Sequence, residues 1–191
     1  IRDINRQIVL NYVRDRSPIS RAEIARQTNL QRSTVSSIVD ALEKAELIES
    51  IGEGTSTGGR KPTLLRIKTG FPVALGIDLA PSETTIAVAD LAGNVLEKES
   101  FPTSPKLEFM TENILQRVEA FASKYSEYDL EVGMSLPGIT DQLEGNLVYV
   151  PYFQWQNWNI AELIFEKTGL EVTIENDANS IALAELWFGR E

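Results

Sequence analysis

Cysteine and histidine are both missing from the 191 residues. Without cysteine there is no disulfide and no thiolate metal site in this stretch, which fits a cytoplasmic location. Without histidine, any general base must be a carboxylate, a lysine or a tyrosine. No run of 18 or more apolar residues occurs, so no membrane-spanning helix and no membrane partner are expected. The first residues are polar and include Arg2, Asp3 and Arg6, so they do not read as a signal peptide.

Positive charge is scarce overall, with 18 Lys and Arg against 28 Asp and Glu. It is also unevenly placed. Residues 1–69 hold 12 cations and 8 anions, and residues 70–191 hold 6 and 20. A basic head on an acidic body fits polyanion binding confined to the head, although chance segregation of surface charge would look the same.

The head shows helical periodicity. Ile4, Ile8, Val9, Tyr12 and Val13 recur at spacings of three and four, and Pro18 ends that region. Ser20-Arg21-Ala22-Glu23 reads as a capping box, with the serine accepting from a first-turn N–H and Glu23 reaching back. Ile24, Ala25 and Leu30 form the apolar side of a second helix, and Asn29 suits a left-handed turn. A third helix follows over 32–42, with Val35, Ile38, Val39 and Leu42 on one face. Its other face offers Arg32, Ser33, Ser36 and Ser37, small groups able to approach base edges and phosphates closely. The plainer alternative is a three-helix scaffold with a serine-rich surface. Strands at 47–51 and 64–67 flank a long loop with the basic tip Arg60-Lys61 and several glycines. A helix-turn-helix followed by such a hairpin predicts a winged helix, its third helix in the major groove and its loop at phosphate or the minor groove. The candidate DNA contacts are Gln31, Arg32, Ser33, Thr34, Ser36, Ser37, Arg60 and Lys61.

The remainder reads as α/β. Strands at 73–79, 84–90 and 95–101 form a meander, with Ala92-Gly93-Asn94 turning between the last two. A helix over 107–124, a strand at 131–136, a helix over 160–167, a strand at 171–175 and a helix from about Ala178 follow, which predicts a mixed sheet with helices. Two loops stand at strand ends, Asp78–Thr84 and Glu175–Asn179. Ligands of open α/β sheets sit beyond such ends. Asn176 and Asp177 suit vicinal hydroxyls, while the residues alone favour Asp177 as a helix N-cap, where aspartate is common.

Taken in order, these segments resemble the repressor branch of the ROK family (repressors, open reading frames and sugar kinases). The resemblance rests on the helix-turn-helix, the wing residues 58–65, Gly76-Ile77-Asp78, the stretch 133–141 (GMSLPGITD), Glu175-Asn176-Asp177-Ala178-Asn179 and Ala184-Glu185-Leu186-Trp187-Phe188-Gly189. It implies two domains: a winged helix-turn-helix over 1–70, and over 71–191 the first lobe of an actin/hexokinase-like (ribonuclease H-like) domain. It also implies that a second lobe is missing from this chain, one that would carry further sugar contacts and the family's His/Cys zinc site. No cofactor and no catalytic or metal-ligating residue is assigned to this segment.

Kinase members carry a Gly-Gly-Thr type loop after the first-strand aspartate, and Ala80-Pro81-Ser82 stands there in this chain. Proline lacks an N–H, which disfavours a phosphate cradle. Tyr152 replaces an asparagine common in the kinases, and Trp155 matches a family tryptophan. The resemblance places sugar contacts at Gly138, Asn176 and Asp177. The expected function is a DNA-binding regulator, a repressor of carbohydrate uptake or catabolism genes, controlled by a sugar or sugar phosphate. Its expected partners are double-stranded operator DNA and a second copy in a homodimer or larger homo-oligomer. The alternative is an ATP-dependent sugar kinase with a DNA-binding head.

Overall fold

The computed structural model describes residues 2–54, 61–141 and 145–189. The chain folds as two compact units, Ile1–Phe71 and Pro72–Glu191.

The first unit runs α1 (Arg2–Arg16), β1 (Ile19–Ser20), α2 (Arg21–Thr28), α3 (Arg32–Lys44), β2 (Ile48–Glu53) and β3 (Thr63–Ile67). Its antiparallel sheet has the order β1-β3-β2. Local signals act as expected at two points. Ser20 caps α2 by accepting from the Glu23 N–H, and Asn29 ends that helix in the left-handed region at φ 57. Glu23 does not reach back, because Arg26 and Gln27 one turn on engage its carboxylate. The core gathers Val9, Val13, Ile24, Val35, Val39, Leu42, Ile48 and Leu65. Ile4, expected on the apolar side of α1, is exposed, because that end of the helix lies beyond the core. The two-residue strand β1 was not foreseen. It exists only because Ile19 and Ser20 pair with Leu65 and Leu64 across the unit.

The second unit runs β4 (Pro72–Leu79), β5 (Glu83–Asp90), β6 (Val95–Pro102), α4 (Leu107–Lys124), β7 (Glu131–Leu136), β8 (Ile139–Asp141), β9 (Asn146–Val150), β10 (Trp155–Trp158), α5 (Ile160–Thr168), β11 (Val172–Asn176) and α6 (Asp177–Phe188). The main sheet has the order β11-β7-β4-β5-β6, with β4, β5 and β6 antiparallel and β4, β7 and β11 parallel. One face is apolar: Leu75, Ile77, Ile86, Val88, Val132, Met134 and Ile174 pack with Met110, Ile114, Val118 and Phe121 of α4 and Ile160 and Ile164 of α5. The other face carries small and polar residues, among them Gly76, Asp78, Ala87, Gly133 and Ser135, and is open enough to form a hollow of about 370 Å³. Along the edge strand β6, Glu97 accepts from Lys124 and Tyr125 of α4; these bonds hold its carboxyl below the usual range and the Tyr125 phenol above its own.

A second small sheet, β10-β9-β8, was not anticipated. Its strands are three to five residues long, too short for a period-two pattern to stand out. Contacts made elsewhere in the unit hold it: Trp155 stacks on Phe153 at 4.5 Å, meets Trp158 edge-on at 5.4 Å and donates its indole N–H to the Pro105 carbonyl at 2.8 Å.

Candidate functional site

The third helix is built to be gripped on one side and left free on the other. Val35, Ile38, Val39 and Leu42 anchor it in the core. Arg21 at the start of α2 fixes its C-terminal half, pairing with Asp40 at 2.5 Å and Glu43 at 2.8 Å. Glu43 also accepts from Ser50 of β2 at 2.6 Å. The acidic groups of α3 are therefore both paired, and both lie in its C-terminal half.

The N-terminal half differs. Its first turn contains no acidic residue, and Gln31 at the N-cap position makes no side-chain capping bond. Gln31, Arg32, Ser33 and Ser37 are exposed, and Thr34 and Ser36 half-buried. Hydroxyls inside helices commonly turn back to the carbonyl four residues earlier. Thr28, Thr111 and Thr168 all do so here, at 2.7, 2.9 and 2.8 Å. Ser33, Thr34, Ser36 and Ser37 do not, and Arg32 has no carboxylate partner among the described residues. Arg26, Arg66 and Lys68 pair with Glu23, Glu49 and Glu46, whereas Arg6, Arg16 and Lys44 have, like Arg32, no carboxylate partner among the described residues. At the start of α3 this leaves unengaged hydroxyls and the Arg32 guanidinium around the positive end of a helix dipole, chemistry suited to phosphate oxygens and base edges.

The wing is closed at its base, where the Gly54 N–H donates to the Pro62 carbonyl at 2.8 Å and Glu53 pairs with Thr63 in the ladder. Lys61 is exposed, with its ammonium 3.6 Å from Glu53. Arg60 lies outside the described residues.

In the second unit, Gly138, Asn176 and Asp177 come together although 38 residues separate the first two. The Asn176 amide donates to the Gly138 carbonyl at 2.7 Å, and its oxygen accepts from the N–H groups of Ala178 at 3.0 Å and Asn179 at 3.4 Å. Asn176, not Asp177, is therefore the N-cap of α6. The reason lies in the ladder: the pairing of β11 with β7 ends at Asn176 opposite Leu136, so the helix begins directly with Asp177, one residue earlier than an Asp177 cap would give. Asp177, the first helical residue, is half-buried and, among the described residues, accepts only from its neighbour's N–H, at 2.9 Å. One carboxylate oxygen is left for an outside donor. Gly138 sits at φ +104, where a methyl group would collide with the Tyr149 carbonyl, so the close approach of β9 requires glycine.

The β4–β5 connection is tight. The Ala80 N–H donates to the Glu83 carbonyl at 3.2 Å, and the Ala80 carbonyl accepts from the Thr103 hydroxyl at 2.7 Å. Asp78 stands beside Thr85, Ser135 and Glu175 on the open face of the sheet. Tyr152 is exposed, and Trp155 is buried in the aromatic cluster. The role of Asn176 as cap and tether was missed in the sequence. The only local hint was a second small polar residue directly before Asp177.

Comparison with known proteins agrees with this anatomy. Residues 2–49 match a winged helix-turn-helix DNA-binding domain, and residues 74–191 match the ROK family. The chain is 30% identical over 194 residues to a xylose repressor of Caldicellulosiruptor bescii, covering 99% of this chain and 49% of that protein. Thus the chain spans about half the length of the curated relatives it matches. Its structure superposes on a ROK family transcriptional regulator, a homologue of the Escherichia coli MLC protein, with a TM-score of 0.77 at 26% identity, over 98% of this chain and 48% of that one. A ROK family glucokinase from Streptomyces griseus, solved with glucose and AMPPNP, aligns over 62% of this chain and 37% of its own, at 28% identity and a TM-score of 0.54. With a winged helix-turn-helix in front of a matched family domain that fills most of its length, this chain belongs to the ROK family.

Proposed function

We propose that this chain is the operator-binding and effector-sensing part of a transcriptional repressor of carbohydrate genes. The observation that carries the reading is the free face of α3: Gln31, Arg32, Ser33, Thr34, Ser36 and Ser37 stand uncompensated on a helix whose carboxylates are paired elsewhere. That half of α3 enters the major groove, while Arg60 and Lys61 of the wing meet phosphate or the minor groove. Two copies read two half-sites, as helix-turn-helix proteins commonly do. The name of the similar repressor supports a sugar as the signal, and the glucokinase supports a sugar-binding lineage for the second unit.

The effector site is Gly138, Asn176 and Asp177. The carboxylate of Asp177 accepts from sugar hydroxyls through charge-assisted bonds. Asn176 holds the site together from beneath. A sugar or sugar phosphate bound there changes operator affinity only through its different affinity for the DNA-binding and released states. Phosphoryl transfer is not part of this function. Pro81 has no N–H, and the Ala80 N–H is already committed within its own turn, which supports the absence of a phosphate cradle.

The test is recovery of bound fragments from sheared genomic DNA, followed by titration of the enriched fragment against rising salt and a panel of pentoses, hexoses and their phosphates. One enriched fragment, released by one of these sugars, is expected. Replacing Arg60 and Lys61 by alanine should flatten the log–log salt dependence by about 0.9 per lost phosphate contact. No enriched fragment would overturn the repressor reading. ATP-dependent turnover of a sugar above that of Asp177→Ala would restore the kinase.

A further inference from the structure

We propose that Asn5, on the first helix, is a phosphate contact at the flank of the α3 interface. The proposal rests on the DNA-binding reading and extends it to an element outside the helix-turn-helix proper.

Asn5 continues a row of α1. Positions 5, 9 and 13 are spaced by four, so they stack on one side of the helix. Val9 and Val13 of that row are fully buried. At Asn5 the row leaves the core and changes from apolar to amide. There it meets α3, where Asn5 lines an open hollow of about 320 Å³ together with Ser33, Thr34, Ser37 and Ile38. The Asn5 amide has no hydrogen-bond partner among the described residues, nor do the three hydroxyls beside it. Four neighbouring polar side chains on one small surface are thus all unengaged.

Dimensions decide what this surface would meet. A helix with its side chains is about 10–12 Å across, and the major groove is about 12 Å wide. Once α3 fills the groove, an element packed against its first turns stands at the groove wall, which is sugar and phosphate. Asn5 is the residue of α1 that lines this hollow. Its Nδ2 carries two donors, enough for one or two phosphate oxygens. Asp3, the one acid in the first turn of α1, lies about 200° round the helix from Asn5 and so points away from this wall. A neutral amide adds no charge, so its contribution is to orient the helix in the groove, the same on every sequence.

Anisotropy titrations of Asn5→Asp and Asn5→Lys against the enriched fragment and an unrelated duplex, at several salt concentrations, test the idea. Asn5→Asp places a carboxylate against phosphate and should weaken binding to both duplexes by at least about tenfold at low salt. Asn5→Lys adds a cation and should steepen the log–log salt slope by about 0.9. An unchanged slope in Asn5→Lys, with Arg32→Ala still losing operator affinity, would refute the Asn5 contact and leave the α3 interface standing. Losses confined to one sequence would also refute it, because they would mark a base contact. Failure of the wild-type protein to bind either duplex would remove both readings together.

Discussion

Two helix starts, α3 in the first unit and α6 in the second, are both rich in small polar residues but are built in opposite ways. At α6 the Asn176 side chain accepts from two free N–H groups, and an aspartate occupies the first turn. At α3 no side chain caps the end and no acid occupies the first turn. The first arrangement satisfies the helix terminus internally, so what remains to a ligand is the free oxygen of Asp177, an acceptor for hydroxyls. The second leaves the positive end of the dipole open beside Arg32, an arrangement suited to an anion. The contrast runs through the whole chain, since the first unit has a surplus of cations and the second a large surplus of carboxylates. A polyanion and the hydroxyls of a sugar call for different helix starts, and the chain has one start suited to each.

The hardest blow to this contrast would come from Arg32. Arg32→Ala should weaken operator binding by about 5- to 150-fold, from the 1–3 kcal/mol usual for a bidentate base contact, with the melting temperature unchanged. Wild-type affinity in that variant would mean that the open end of α3 does not face DNA.

Next in size is the cap. Asn176→Ala removes two accepted bonds and the tether to Gly138, and should cost about 0.5–2 kcal/mol in a urea titration. Asp177→Ala should leave stability within about 0.5 kcal/mol and abolish the sugar response instead. If the two variants exchange these phenotypes, the division between Asn176 as support and Asp177 as ligand contact is wrong.

The smallest effect is the most diagnostic. Gln31→Asp gives α3 the kind of cap that α6 already has. It should raise stability by up to about 1 kcal/mol, while the new carboxylate weakens operator binding. A variant that is both more stable and a tighter DNA binder would show that the bare start of α3 has nothing to do with an anion.

Much of the first unit was readable from local sequence because its signals act over a few residues. The Ser20 cap, the left-handed Asn29 and the buried stripe Val35, Ile38, Val39 and Leu42 each depend on neighbours within one or two turns. The strands β4 to β6 and the helix α4 were readable for a similar reason, their length being enough to display a period. The polar character of the α3 face was visible too, but the reason it stays free was not. That involves Arg21, some twenty residues away, which pairs with Asp40 and Glu43 in the C-terminal half of the helix.

What the amino-acid sequence determined by itself, then, is the two-part design, the helix-turn-helix with its buried stripe and the candidate residues at both sites, because periodicity, capping chemistry and charge distribution are local properties of a chain. Tertiary structure alone decided the rest. The two-residue strand β1 exists only in its pairing with β3, and the sheet β10-β9-β8 only around the packed Trp155 and Trp158. Which residue caps α6 was decided by how far β11 follows β7, a matter of ladder register that shifts the helix start by one position. That single position turns Asn176 into a brace across 38 residues and leaves Asp177 with a free carboxylate oxygen. No local signal carries such information, because the free energy that selects it comes from hydrogen bonds between segments distant in the chain.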